Sequence, residues 1–188
     1  GLIEAVQVGA KKSTENSSVV DGFYKNPLIF IPFHKDAIKV KNTLEKAGLK
    51  KPVTEFEQSI NRAAEEASKK ALPIFLDAIK GITFSDAMAI LKGSNNAATS
   101  YLKEKTSSKL SVAFKPVVKE SIAKAQVTKY WENVAKAYNK VNILGGKKVN
   151  PDLESYITEK AIEGLFILIA KEEEQIRSNP AARTTDLL

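Results

Sequence analysis

An all-α fold is what this sequence predicts: an irregular bundle of about seven to nine helices, with one short extended or edge-strand segment near residues 28–33. Three observations predict it. Apolar residues recur at three- and four-residue spacing over most of the 188 positions. Glycine, proline and short polar residues punctuate those runs at helical lengths. Only one stretch, Leu28-Ile29-Phe30-Ile31-Pro32-Phe33, is dense in β-branched and aromatic residues.

The first helix is expected over 2–12, with Leu2, Ile3, Val6 and Ala10 on one stripe, fraying or continuing through 13–18. Asp21-Gly22 marks a turn. Pro32 cannot donate to a sheet ladder, so residues 28–33 read as an edge strand or an extended packing arm. A helix follows over 35–47 and stops at Gly48. Pro52 opens a long helix carrying Val53, Phe56, Ile60, Ala63, Ala64 and Ala67 inward. Pro73 breaks it ahead of 74–80, and Gly81 ends that piece. Thr83 and Asp86 form a capping box for 84–92, which Gly93 terminates. Asn95 or Asn96 caps 97–107, and a further helix runs over 108–124 with Pro116 kinking or splitting it. Thr128 caps 129–140, and Gly145-Gly146 turns the chain. Asn150-Pro151 starts the last helix, with Asp152 and Glu154 in its first turn and Asn179-Pro180 at its end.

Residues 1–188 read as one helical domain, long enough to bury a core without cross-links. A faint echo relates 38–62 to 116–140 through Val40/Val118, Lys41/Lys119, Lys46/Lys124, Ala47/Ala125, Lys51/Lys129 and Asn61/Asn139. In Lys/Ala-rich helices such identities arise readily by coincidence.

Composition removes several chemistries. There is no cysteine, which excludes disulfides, cysteine-ligated zinc and thiol nucleophiles. The single histidine, His34, sits in Pro32-Phe33-His34-Lys35-Asp36 and reads as a helix neighbour rather than a catalytic base. No metal site and no cofactor are expected: neither GxGxxG, GxxxxGK[ST] nor an EF-hand loop occurs, and Gly145-Gly146-Lys147-Lys148 reads as a helix connection. The longest strongly apolar run, 165–170, is too short for a bilayer-spanning helix.

The net charge of +7 is uneven. Residues 97–148 hold 11 Lys against Glu104, Glu120 and Glu132, whereas 149–188 hold 4 basic and 8 acidic side chains. The lysines read first as a solvated helix face, with peripheral contact to a membrane surface or another polyanion as the sharper alternative. Nucleic acid is disfavoured as a partner, since the chain has only Arg62, Arg177 and Arg183 for the role arginine usually plays there. Glu172-Glu173-Glu174 points three ways around a helix and reads as a solvated run.

Polar residues on apolar helices are more informative. Asn61-Arg62 lies in an Ala/Ile-rich helix, Asp77 lies between Phe75-Leu76 and Ala78-Ile79, and Arg177, Asn179, Arg183 and Asp186 lie near the end. Charges in such settings are usually paired, so a structural network is the default and a ligand pocket the sharp alternative.

The same stretches carry a likeness. Residues 176–188, IRSNPAARTTDLL, together with Asp21-Gly22-Phe23, Ile31-Pro32, Ser59-Ile60-Asn61-Arg62-Ala63-Ala64-Glu65, Pro73-Ile74-Phe75, Asp77-Ala78-Ile79, Ala97-Ala98-Thr99, Tyr101 and Tyr156-Ile157-Thr158-Glu159-Lys160-Ala161, resemble the bacterial family called domain of unknown function 4197. The resemblance spans essentially the whole chain. It implies an all-helical fold and a Gram-negative source. Because members often carry a secretory or lipoprotein leader, it also implies a periplasmic or envelope location, with a leader removed ahead of Gly1. It implies no activity.

The favoured expectation is therefore a non-enzymatic envelope binding or interaction module. Its site would gather Asn61, Arg62, Asp77, Arg177, Asn179, Arg183 and Asp186 around a small anionic ligand or an envelope protein. The rivals are an enzyme using Asp77 or Glu65 for acid/base chemistry and a polyanion or membrane-surface binder using 97–148.

Overall fold

A computed structural model describes residues 1–33, 38–141 and 152–178. Among them are eight helices and no strand: α1 (Leu2–Ser17), α2 (Ile38–Lys46), α3 (Lys50–Ser68), α4 (Ala71–Lys80), α5 (Phe84–Lys92), α6 (Ala97–Lys124), α7 (Val127–Val141) and α8 (Leu153–Ser178). His34, Asn150, Pro151 and the Gly145-Gly146 turn lie outside the described residues.

The centre is a trio, α3, α6 and α8, each packed on the other two. α1 and α4 cover one side, α1 resting on α8 and α4 on α6. α2 lies on α3, α5 on α6, and α7 on α6 and α3. Under α7, Phe33, Phe56 and Trp131 form an aromatic cluster, with Phe56 and Trp131 stacked at 5.5 Å between centroids.

Helix α3 follows the sequence pattern closely. Val53, Phe56, Ile60, Ala63, Ala64 and Ala67 are all buried, and the alanines let α6 and α8 approach. Its start precedes Pro52 by two residues, and α4 likewise starts two residues before Pro73. A proline there costs nothing, since the first four N–H groups of a helix have no partner within it. The break ascribed to Pro73 falls instead at Lys69-Lys70. The Thr83–Asp86 capping box is present as expected, each residue bonding the other's backbone N–H at 3.1 Å.

Helix α6 departs from expectation: it is one helix where two, 97–107 and 108–124, were expected, and Pro116 does not split it. The carbonyl that loses its partner belongs to Val112, four residues earlier on the exposed face, where water can satisfy it. Its buried residues Leu102, Thr106, Leu110, Phe114, Val118 and Ile122 advance by four. Each step overshoots a full turn by about 40°, so the stripe drifts roughly 200° around the helix. One helix thereby packs against α8, α4 and α3.

Residues 28–33 form no strand: the segment opens in a turn, the Ile29 and Phe30 N–H groups donating to the Asn26 carbonyl at 3.2 and 2.8 Å, and 30–33 then run on as a packing arm. Ile29, Ile31 and Phe33 are buried in alternation with exposed or half-buried neighbours. Helix α7 begins at Val127, so Thr128 lies inside it rather than at its cap. Helix α8 is capped by Asp152, whose carboxylate accepts from the Ser155 N–H at 3.0 Å and the Ser155 hydroxyl at 2.7 Å. The breaks preceding α3 and α7 each contain a left-handed residue at equivalent positions of the 38–62/116–140 alignment: Gly48 at φ 86° and Gln126 at φ 54°.

Candidate functional site

The polar residues on α3 build a knot around the chain that leaves α1. Asp21 takes a left-handed φ of 70°. A Cβ at Gly22 would stand 2.5 Å from the carbonyl oxygens of Asn16 and Ser17, so only glycine permits this close reversal. The reversal aims the N–H groups of Asp21, Phe23 and Tyr24 at Glu65, whose carboxylate accepts them at 3.0, 3.3 and 3.4 Å. Arg62, one turn earlier on α3, donates to Glu65 at 2.7 Å and pairs with Asp21 at 2.9 Å. Its guanidinium lies 5.4 Å from the Tyr24 ring centroid. Arg62 beside Asp21 holds that carboxyl below the usual carboxylate range, with Lys25 adding to the effect and partial desolvation opposing it.

Asn61, fully buried, fastens the arm. Its carboxamide accepts from the Ile31 N–H at 2.8 Å and donates to the Ile31 carbonyl at 2.9 Å and the Glu57 carbonyl at 2.7 Å. One side chain thus stands in for a neighbouring strand, satisfying both backbone groups of Ile31. The Tyr156 hydroxyl donates to the Pro32 carbonyl at 2.9 Å.

A second knot joins α8 to the start of α6. Asn96 occupies the N-cap position, but its side chain makes no capping bond. The orphan N–H groups of Ala98 and Thr99 are accepted by Glu173 at 2.9 and 2.8 Å, and the Thr99 hydroxyl donates to the same carboxylate at 2.7 Å. Arg177 donates to Glu173 at 3.0 Å and to the Ile90 carbonyl at 2.7 Å, which ties in the end of α5. The solvated reading of the Glu172–Glu174 run is therefore corrected at its centre: Glu173 is buried, while Glu172 pairs with Lys12 at 3.4 Å. A signal was present, because Leu165, Ile169 and Glu173 advance by four along one face and Arg177 extends that row.

The two knots stand apart along α8. Gly164 lies at the level of the first, since a Cβ on it would meet Phe23 at 2.9 Å and Ile29 at 3.2 Å. Arg177 follows thirteen residues later, about 20 Å along the same helix. Asn61-Arg62 and Arg177 therefore do not converge on one crevice. Asp77 joins neither knot. Its side chain is 77 % exposed and only approaches Lys109, at 3.9 Å, which corrects the expectation of a paired charge within apolar surroundings. The apolar neighbours in sequence point elsewhere around α4. Asn179, Arg183 and Asp186 lie outside the described residues.

Between α1, α5, α6 and α8 lies a cleft of about 240 Å³. Leu2, Val6, Leu91, Ile169 and Ile176 give its apolar lining, and Asn95 with the Glu173–Arg177 pair its polar groups. Gly9 and Ala98 also line it and fill little of the space. Sequence reading missed this site because its lining comes from four helices far apart in the chain, with ordinary core residues as the contributors.

Acid/base chemistry finds no support in the arrangement. Glu65 is saturated by three N–H groups and Arg62, and Asp77 faces open solvent. Among the described residues no group of His, Asp and Glu is placed to hold a metal ion, and no helix is long and apolar enough to cross a membrane.

No curated protein and no solved structure matches the chain. A family model does, over residues 1–188, and the stretches that resembled it include both knots: Asp21-Gly22-Phe23 and Asn61 to Glu65 in the first, Ala97-Ala98-Thr99 in the second. The chain belongs to the family described as Protein of unknown function (DUF4197).

Proposed function

We propose that the protein is a non-enzymatic binding module of the Gram-negative envelope that takes a small amphipathic ligand in the cleft between α1, α5, α6 and α8. The observation that carries this reading is the cleft itself: five apolar side chains lining it together with Asn95 and an already paired Glu173–Arg177. A short alkyl body fits the apolar lining, and a hydrogen-bonding head group fits beside Asn95. The arginine site expected from the sequence is replaced in this proposal, because Arg62 and Arg177 are engaged in holding helices together. The envelope location rests on the family resemblance, and periplasmic release from cells expressing the full-length natural protein tests it.

Binding is tested by titrating the protein with octanoate and with 1-octanol while following side-chain methyl resonances. Saturable shifts confined to Leu2, Val6, Leu91, Ile169 and Ile176 are expected, and Val6→Trp should remove them without lowering the melting temperature appreciably. Shifts scattered over the surface, or unaffected by Val6→Trp, would rule the cleft out as the site.

A further inference from the structure

The outer face of α6 is chemically unlike the rest of the surface. From Lys105 to Lys119 the sequence contains four lysines, at 105, 109, 115 and 119, and no acidic residue. Helical geometry places Lys105, Lys109, Val112 and Lys119 within about 80° of one another, with Lys115 on the flank. All five side chains are exposed, and Val112 is 76 % exposed in their midst. Phe84, in the first turn of α5, is 84 % exposed. It lies two residues from Asp86, which is bonded to the Tyr101 hydroxyl at 3.5 Å and feels the charge of Lys105. The nearby acids are Glu104 next to Lys105 in the chain, Asp86, which feels Lys105, Asp77 at 3.9 Å from Lys109, Asp152, which feels Lys115, and Glu120, which is taken by Lys124 at 2.9 Å.

We infer that this face, Lys105, Lys109, Lys115 and Lys119 around Val112, docks the protein onto an anionic lipid surface. Long lysine side chains reach phosphate head groups from a helix lying in the plane of the membrane, and a cluster of four is the size at which such attraction becomes useful. Val112 stands among the cations on the same face and is left uncovered by the described residues. Shallow burial of apolar groups between cations fits a lipid interface. A nucleic acid would gain nothing from Val112, and the described arginines, Arg62 and Arg177, are both committed elsewhere. This surface lies on α6 apart from the cleft lining, so it stands or falls independently of the proposed ligand site.

Co-sedimentation with vesicles of one part phosphatidylglycerol to two parts phosphatidylcholine, against vesicles of phosphatidylcholine alone, tests the inference. Binding to the anionic vesicles only, weakening steeply as salt is raised, is the expected result. Lys109→Glu with Lys115→Glu should weaken it at least about ten-fold. Val112→Asn should weaken it about five-fold. Circular dichroism should show the helical content of both variants intact, since all three positions are exposed. Failure to bind anionic vesicles at low salt, or equal binding to neutral ones, overturns the inference. So does binding an oligonucleotide as tightly as the vesicles with Val112→Asn having no effect, which would mark a general polyanion surface.

Discussion

Arg62 illustrates how one side chain can be polar, half-exposed and still structural. It is 33 % exposed, yet it neutralises Glu65, which is 4 % exposed and holds three backbone N–H groups. Removing the cation leaves a buried carboxylate compensated by neutral donors alone. Breaking a fully buried pair costs roughly 3–5 kcal/mol, and the exposure of Arg62 reduces this through solvent screening. Arg62→Ala should therefore lower stability by about 2 kcal/mol in urea unfolding, with the slope of the transition unchanged. Arg62→Lys should fall between, because an ammonium lacks the planar fork that reaches Asp21 and Glu65 together. A loss within error for Arg62→Ala would mean the network does not hold the turn, and would reopen Arg62 as a ligand-binding group.

At the scale of elements, contacts between helices depend on a few positions where a small or charged residue meets a neighbour. Gly164 on α8 is one. Alanine there would gain about 1 kcal/mol of helix propensity, but its Cβ would stand 2.9 Å from Phe23 and 3.2 Å from Ile29. Overpacking of that kind costs about 1–3 kcal/mol, so Gly164→Ala should lower the melting temperature despite its better propensity. An increase would show that the arm around Ile29 yields freely. Glu173 is another. Glu173→Gln keeps one acceptor but loses the charge that draws Ala98, Thr99 and Arg177 together. The expected cost is about 1–2 kcal/mol, accompanied by faster amide exchange at Ala98 and Thr99 than in the rest of α6. Uniform acceleration along α6 would indicate global unfolding rather than a lost cap.

For the molecule as a whole, pH response follows from groups whose ionisation differs between folded and unfolded chains. Desolvation, with the charges of Glu163 and Glu57 adding to it, pushes the Tyr156 phenol up to about 12 from an ordinary value of 10.0. The folded state binds that proton more tightly than the unfolded chain does. Its stabilising effect is complete below pH 10.0 and is lost as pH rises toward 12. Asp21, Asp86 and Asp152 behave oppositely: Arg62, Thr83 and Ser155 respectively hold their carboxyls below the ordinary 3.8. Stability from these groups is present above that value and fades as pH falls through their lowered values. A stability plateau through neutral pH with both limbs falling is expected. Tyr156→Phe should flatten the alkaline limb, at a uniform cost of about 1 kcal/mol for the lost bond to Pro32. An unchanged alkaline limb in that variant would assign it to other groups.

Periodicity alone determined that this chain is helical, and it placed α5 and the burial of Ile60, Ala63, Ala64 and Ala67 on α3 correctly, though not the ends of α3. Such features depend on neighbours three or four residues away, and local spacing records them directly. It also marked Asn61 and Arg62 as polar residues with work to do inside a bundle. What that work is depended on tertiary contact: Asn61 meets Ile31, thirty residues away, and Glu173 meets Thr99, seventy-four residues away. The same holds for the errors. Pro116 survives inside α6 because Val112 faces water, and Glu173 is buried because α6 begins against it, whereas Asp77 is exposed because none of the described helices covers that side of α4. The cleft is the extreme case, assembled from four helices whose contributions look like ordinary core until packing leaves them unfilled. A one-dimensional pattern records which face of a helix is apolar; only the packed chain decides which apolar face finds a partner and which is left lining a space.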